Sequence, residues 1–415
     1  MEADPETVSG SEVMPAVDLS NLTEDAYDPR EPYARVLTHE PLRFDGDMDP
    51  FQQLLVGASI KGASDIRIQT DSRIRIKMHG TQHFATAKPL NASEVLSILS
   101  HMWRSEDAFS ILRQGRPLDF SFEVPIDRHR RQRFRVNAKG VMKGAGDGIS
   151  MTMRPLPTKT PTIDDVGLDN EVRPYMSPQH GIVVVAGATG QGKSTTLAGI
   201  TRFHLENTAD PKAIVDLQAP IEFTYSDVLT DHSDCASSIE QSEIGEGRNL
   251  PSFGDGVWAA LRCAPDIISL GEARDKASLE GCLEASLTGH LVYTTTHAGS
   301  VAEGLRRMVV NFPAEERDAR AFDLITSLQL FVVQHLVRTS DHRGRVPLRE
   351  YLLFDDYVRD QFVSVPIGDW PKVVSRLMQE SSDRVLARSM HDAAQQKVGE
   401  GKVSYDDVRR LLPRH

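Results

Sequence analysis

The run Gly187-Ala188-Thr189-Gly190-Gln191-Gly192-Lys193-Ser194 is a full GxxxxGK[ST] pattern, and its residue types suit one task, the cradling of phosphates. Glycines let backbone N–H groups close around phosphate oxygens, Lys193 brings a cation to the β- and γ-phosphates, and Ser194 offers a hydroxyl to Mg²⁺. Gly187, Thr189, Gly190, Gln191, Gly192, Lys193, Ser194 and the adjoining Thr195 are therefore the candidate nucleotide-binding set. The context supports this, because the apolar run Ile182–Ala186 precedes the loop and a helix-compatible stretch follows it.

Two further chemical groups sit at the ends of apolar runs. Ile267–Leu270 leads through Gly271 to Glu272, and Leu291–Thr296 leads to His297. In an open α/β sheet, ligands gather at the carboxyl ends of strands. Glu272 is thus expected to meet the Mg²⁺ shell or polarise water, and His297 to sense the γ-phosphate.

The elements that must position these residues alternate between strand and helix. GIVVVAG, a helix over 193–206, AIVDLQ, a helix over 252–262, DIISLG, a helix over 276–287 and HLVYTTT predict a mostly parallel sheet covered on both faces. Beyond Gly299 the pattern reads as largely helical, apart from a VPLREYLLF strand and a short hairpin. Upstream, FQQLLVGASIKG reads as a helix, ASDIRIQ and SRIRIKMHG alternate as half-buried strands, one helix is expected over 92–113, and DFSFEV, RQRFRVNAKG and ISMTMRP complete an α+β domain. Residues 155–178 contain Pro155, Pro157, Pro161, Pro174 and Pro178, which suggests an extended, semi-rigid connector.

Length and composition agree with this partition. At 415 residues, 40% hydrophobic and 26% charged, the chain exceeds what one core usually supports, and Cys235, Cys263 and Cys282 show no CxxC spacing, so a reducing cytosol is the expected compartment. No apolar run is long enough to span a bilayer, and the acidic N-terminus does not read as a secretory signal. Of the net charge of −12, residues 1–50 carry −10 (13 Asp/Glu against 3 Arg). That leaves a nearly neutral body, with no global electrostatic footprint for nucleic acid, behind a tail expected to be disordered.

Four motifs in order resemble the secretion-superfamily ATPases, the group that includes the type IV pilus retraction motor PilT and the assembly ATPases of type II and type IV secretion. They are the phosphate loop at 187–194, APIEF at 219–223, PDIISLGEARD at 265–275, and TGH at 288–290 with TTTHAGS at 294–300. ASDIRIQ at 63–69 and RFRVN at 133–137 agree, and GEARD and APIEF look most like the type IVB branch, DotB of Dot/Icm systems and its TraJ-type conjugative relatives. Beside the disordered acidic tail read over 1–44 and the Pro-rich linker read over 155–178, the resemblance implies a PAS-like α+β N-terminal domain over 45–154 and a RecA-like P-loop ATPase domain with a helical C-terminal region over 179–415. It also implies a cytoplasmic homohexamer that uses ATP and Mg²⁺ and sits peripherally on an inner-membrane complex. Direct nucleic-acid binding and membrane insertion are not expected.

The family's arginines act across subunit interfaces. The match to RFRVN carries that role to Arg133 and Arg135, with Arg154 as a further candidate, whereas Arg128, Arg130 and Arg131 read as a solvated hairpin face. One departure concerns the acidic box, where the family places a Glu and this chain has Gln218, in Asp216-Leu217-Gln218-Ala219-Pro220-Ile221-Glu222. A neutral amide cannot accept a proton. Three readings stand: Gln218 orients water; Asp216, on the same strand face, is the base; or the Gln is an engineered change that slows hydrolysis. Glu222 lies too far along to substitute without help. The expected function is a motor ATPase of type IVB secretion or conjugation, against the alternatives of a pilus-type ATPase, a DNA-translocating RecA-like motor and a nucleotide-gated scaffold.

Overall fold

Alternation of Ile with Arg in residues 63–78 puts one row of side chains inward and the other outward, and the strands form accordingly. The computed structural model describes residues 49–78, 81–126, 131–143, 146–245, 248–341, 344–380, 385–409 and 411; the acidic segment, Arg128 and Arg130 lie outside them. The chain divides after Thr158 into two units. In the first, β1 (Ala63–Gln69), β2 (Arg75–Met78), β3 (Thr81–Phe84), β4 (Leu118–Pro125), β5 (Arg131–Lys143) and β6 (Gly146–Pro155) form an antiparallel sheet in the order β3-β2-β1-β6-β5-β4. Its inward residues, among them Ile66, Ile68, Phe120, Phe134 and Met153, share a core with Phe51, Leu55, Ile98 and Leu99 from helices Asp49–Ile60 and Ala92–Trp103.

The single helix expected over 92–113 is two. Asn91 and Glu94 close a capping box at the start of the first. Arg104, at φ 61°, takes a left-handed conformation that ends it, and a second helix runs Ala108–Arg113.

In the second unit, β7 (Gly181–Ala186), β8 (Ala213–Gln218), β9 (Ser238–Glu243), β10 (Ile267–Leu270), β11 (Leu291–Thr296), β12 (Leu328–Arg338), β13 (Arg345–Leu353) and β14 (Ala387–Arg388) order as β14-β13-β12-β7-β11-β10-β8-β9. The six strands from β12 to β9 are parallel, and β13 and β14 extend the sheet antiparallel. Alternate residues of β7 feed the two cores: Ile182, Val184 and Ala186 face one, Val183 and Val185 the other. The region beyond Gly299 is less helical than expected. LQLFVVQHLVR is apolar without helical period, and it inserts as an eleven-residue strand beside β7.

The segment read as a connector contributes core to this unit from Lys159 onward. Val166, Leu168, Val172 and Met176 are buried with Val183, Leu197 and Tyr293. Arg202 on helix Lys193–Leu205 donates to the Thr160 carbonyl at 2.6 Å.

Candidate functional site

The phosphate loop joins β7 to helix Lys193–Leu205. Gly187 has φ 152°, and a Cβ there would lie 2.5 Å from the Gln334 carbonyl oxygen, so both conformation and space exclude a side chain. Gly190 and Gly192 are also at positive φ, 78° and 76°. These turns lead directly into the N-terminus of helix Lys193–Leu205, with Gly192 as its N-cap, where the helix dipole and the first N–H groups favour an anion. Lys193 Nζ folds over the loop, donating to the carbonyls of Gly187 at 2.7 Å and Ala188 at 3.1 Å. Burial holds its ammonium below the usual lysine value, with Glu272 and Glu222 opposing the shift.

Register sets the neighbours. Thr296 pairs with Ala186, and Gly187 N donates to the Thr296 carbonyl, which seats His297 beside the mouth of the loop. Ala273 N donates to the Thr295 carbonyl, and Thr295 Oγ1 donates to Gly271 O at 2.5 Å, which fixes the turn carrying Glu272. The result is a contact: His297 Nε2 lies 3.3 Å from Glu272 Oε1. Burial and the Lys193 charge hold His297 below its ordinary value, against the pull of Glu272. A neutral imidazole beside a carboxylate is a donor and can hold it in place.

At the tip of β8, Asp216 and Gln218 share a face, as alternation requires, and touch. Gln218 Nε2 donates to Asp216 Oδ1 at 2.6 Å, and Gln241 Nε2 on β9 donates to Asp216 Oδ2 at 2.8 Å and to Phe223 O at 2.9 Å. Ser269 also bonds the carboxyl, and burial still pushes it up. Asp216 is 2% exposed with both oxygens engaged, which suits it to holding Gln218 rather than to meeting water. Gly271 leaves room for this amide, since a Cβ there would stand 2.6 Å from Gln218 Oε1. The site therefore gathers Lys193, Glu272, His297 and Gln218 at the carboxyl ends of four parallel strands, with Glu222 near enough to act on Lys193. Ser194 and Glu272 are both half-buried oxygen donors, a set suited to Mg²⁺. Thr195 is exposed and Thr189 lies at the exposed turn of the loop.

Arg133 and Arg135 belong to the first unit. On β5 they face β4, where Arg133 Nε is 3.9 Å from Glu123 and Arg135 Nη2 is 3.0 Å from Asp119; Arg154 pairs with Asp65 at 3.0 Å. Arg131 is 3.9 Å from the same Glu123.

Residues that sequence reasoning did not single out hold the loop from behind. Gln334 Nε2 donates to the Gln191 carbonyl at 2.7 Å, Leu336 N donates to Gln191 Oε1 at 2.6 Å, and Arg345 donates to Gly190 O at 3.3 Å. The available signal was Gln334 itself, an amide in the middle of an apolar run, which must find buried partners.

Comparison with known proteins gives consistent matches. A family model described as "Type II/IV secretion system protein" matches residues 49–408. The structure is similar to that of the Legionella pneumophila ATPase DotB, with TM-score 0.79 and 35% identity, covering 90% of this chain and 98% of that one. The crystal structure of the pilus retraction motor PilT with bound ADP is similar with TM-score 0.72 and 27% identity, covering 88% and 97%. The type IV pilus retraction ATPase PilT of Pseudomonas aeruginosa is 32% identical over 308 residues, 74% of this chain and 83% of PilT.

Proposed function

The chain belongs to the type II/IV secretion system protein family, and from that premise we propose that it is an Mg²⁺-dependent ATPase motor, a cytoplasmic homohexamer seated on the inner-membrane complex of a type IVB secretion or conjugative system. The observation that carries the ATPase reading is the gathering of Lys193, Glu272 and His297 around one glycine loop. The type IVB reading draws on the DotB likeness, which has higher identity and TM-score than the solved PilT structure. The first unit serves as the PAS-like domain of such a protomer and the second as its RecA-like domain.

In this reading the loop N–H groups and Lys193 bind the β- and γ-phosphates and stabilise charge that builds as the γ-phosphoryl group transfers to water. Ser194 and Glu272 would hold Mg²⁺, which would neutralise phosphate charge when bound. His297 keeps the Glu272 carboxylate in one orientation. Gln218, anchored through Nε2 with Oε1 lying against Gly271, offers that oxygen as an acceptor to the attacking water, whose oxygen bonds to phosphorus as the bond to the ADP oxygen breaks and whose proton passes to a phosphate oxygen. Arg133 and Arg135 act on the nucleotide of the adjoining protomer.

Glu272→Gln keeps the side chain's shape and removes its charge. The expected outcome is retained ATP binding by calorimetry with most hydrolysis lost. Wild-type turnover in the folded variant overturns the assignment.

A further inference from the structure

Gln334 is 2% exposed, and each polar atom of its side chain is committed. Oε1 accepts from Thr196 Oγ1 at 2.9 Å and from Arg349 Nε at 2.8 Å, while Nε2 donates to the Gln191 carbonyl of the phosphate loop at 2.7 Å. Two donors on the oxygen leave the amide no alternative orientation, so the NH₂ must face the loop. Arg349 stands opposite Gln334 in the β12–β13 register, 1% exposed, and spends its remaining donors on residues 166–169. Nη1 donates to Gly167 O at 2.5 Å and lies 3.3 Å from Asp169 Oδ2, and Nη2 donates to Val166 O at 2.7 Å. Arg388 completes the arrangement, with Nη2 2.7 Å from Asp169 Oδ1 and Nε on the Arg349 carbonyl at 3.2 Å. An unbroken hydrogen-bonded path thus runs from Asp169 through Arg349 and Gln334 to Gln191 and Thr196.

The path begins in a turn close to Lys159, where the second unit starts. A buried guanidinium deprived of partners is costly, so displacement of that turn must be met by rearrangement of Arg349 and, with it, of the Gln334 amide. We propose that Gln334 and Arg349 are positioning residues that make the geometry of the phosphate loop depend on whether the 166–169 turn is seated. This rests on the loop's being the ATP site, and it adds a regulatory input at a place that touches no nucleotide.

The test uses the full chain, with ATP turnover, ADP binding, melting temperature and hydrogen exchange of the amides of residues 187–196. Gln334→Glu keeps the acceptor and removes the donor to Gln191. It is expected to melt within about 5 °C of wild type while KM for ATP and Kd for ADP rise roughly tenfold. Asp169→Asn, remote from the loop, is expected to shift KM in the same direction by a smaller factor, to speed exchange in 187–196, and to add nothing in the Gln334→Glu background. Wild-type KM and exchange in Asp169→Asn, or full additivity in the double variant, overturns the proposal. If Gln334→Glu does not fold, Asp169→Asn alone decides on the same two readouts. If wild type binds no nucleotide, the ATPase reading fails, and exchange in Asp169→Asn still decides: faster exchange supports the coupling and unchanged exchange ends it.

Discussion

Gln218 occupies the position at which a proton acceptor would be expected, and its amide nitrogen is tied to the buried Asp216. Replacing that amide by a carboxylate sets two acidic groups in contact, and only one of them can ionise readily. Gln218→Glu is therefore expected to give turnover that rises with pH through the neutral range, as the shared proton leaves and a base appears beside the water. A pH–rate profile identical to that of wild type contradicts the placement of residue 218 against the attacking water. The residues of this site were legible in sequence as types and order. Their contacts were not, because the His297–Glu272 pair and the Gln218–Asp216 bond depend on registers between strands that are distant in sequence.

At the scale of elements, the helix that follows the phosphate loop is tied at its far end by His204. Its Nε2 lies 2.7 Å from the Tyr293 hydroxyl, which donates to the Met176 carbonyl, so the imidazole gives its own proton to Tyr293. Burial holds His204 down to about 4. The folded state therefore keeps it neutral where the unfolded chain, titrating near 6.5, takes a proton. Stability from this group is complete above the unfolded value and is lost as pH falls through the folded one, up to about 3 kcal/mol. His204→Gln preserves a donor to Tyr293 without titrating, and the expected outcome is a shallower fall in melting temperature between pH 7.5 and 4.5. Parallel profiles for the two proteins would contradict this. The strands β7, β10 and β11 were readable because their apolar runs end in turn residues. β12 was not, since LQLFVVQHLVR has no punctuation of its own and is recruited to the sheet by pairing with β7 and β13. Likewise the helix break at Arg104 is set by a left-handed backbone that an Arg does not advertise.

For the whole molecule, the division after Thr158 assigns the arginines of β5 and the phosphate loop to different units. Arg135 acting on an adjoining protomer predicts complementation: Arg135→Ala and Lys193→Ala chains, each weakly active alone, should regain ATPase activity when mixed, because some interfaces then combine an intact Arg135 with an intact Lys193. No rescue at any ratio, with co-assembly confirmed, contradicts the trans role. The central claim, that this loop turns over ATP, is tested most directly by phosphate release from Mg-ATP by purified wild type and Lys193→Ala. Wild type is expected to release phosphate steadily, and the folded variant to lose at least about a hundredfold of that rate with an unchanged melting temperature in the absence of nucleotide. Equal release by the two proteins, or none by wild type, would contradict that claim.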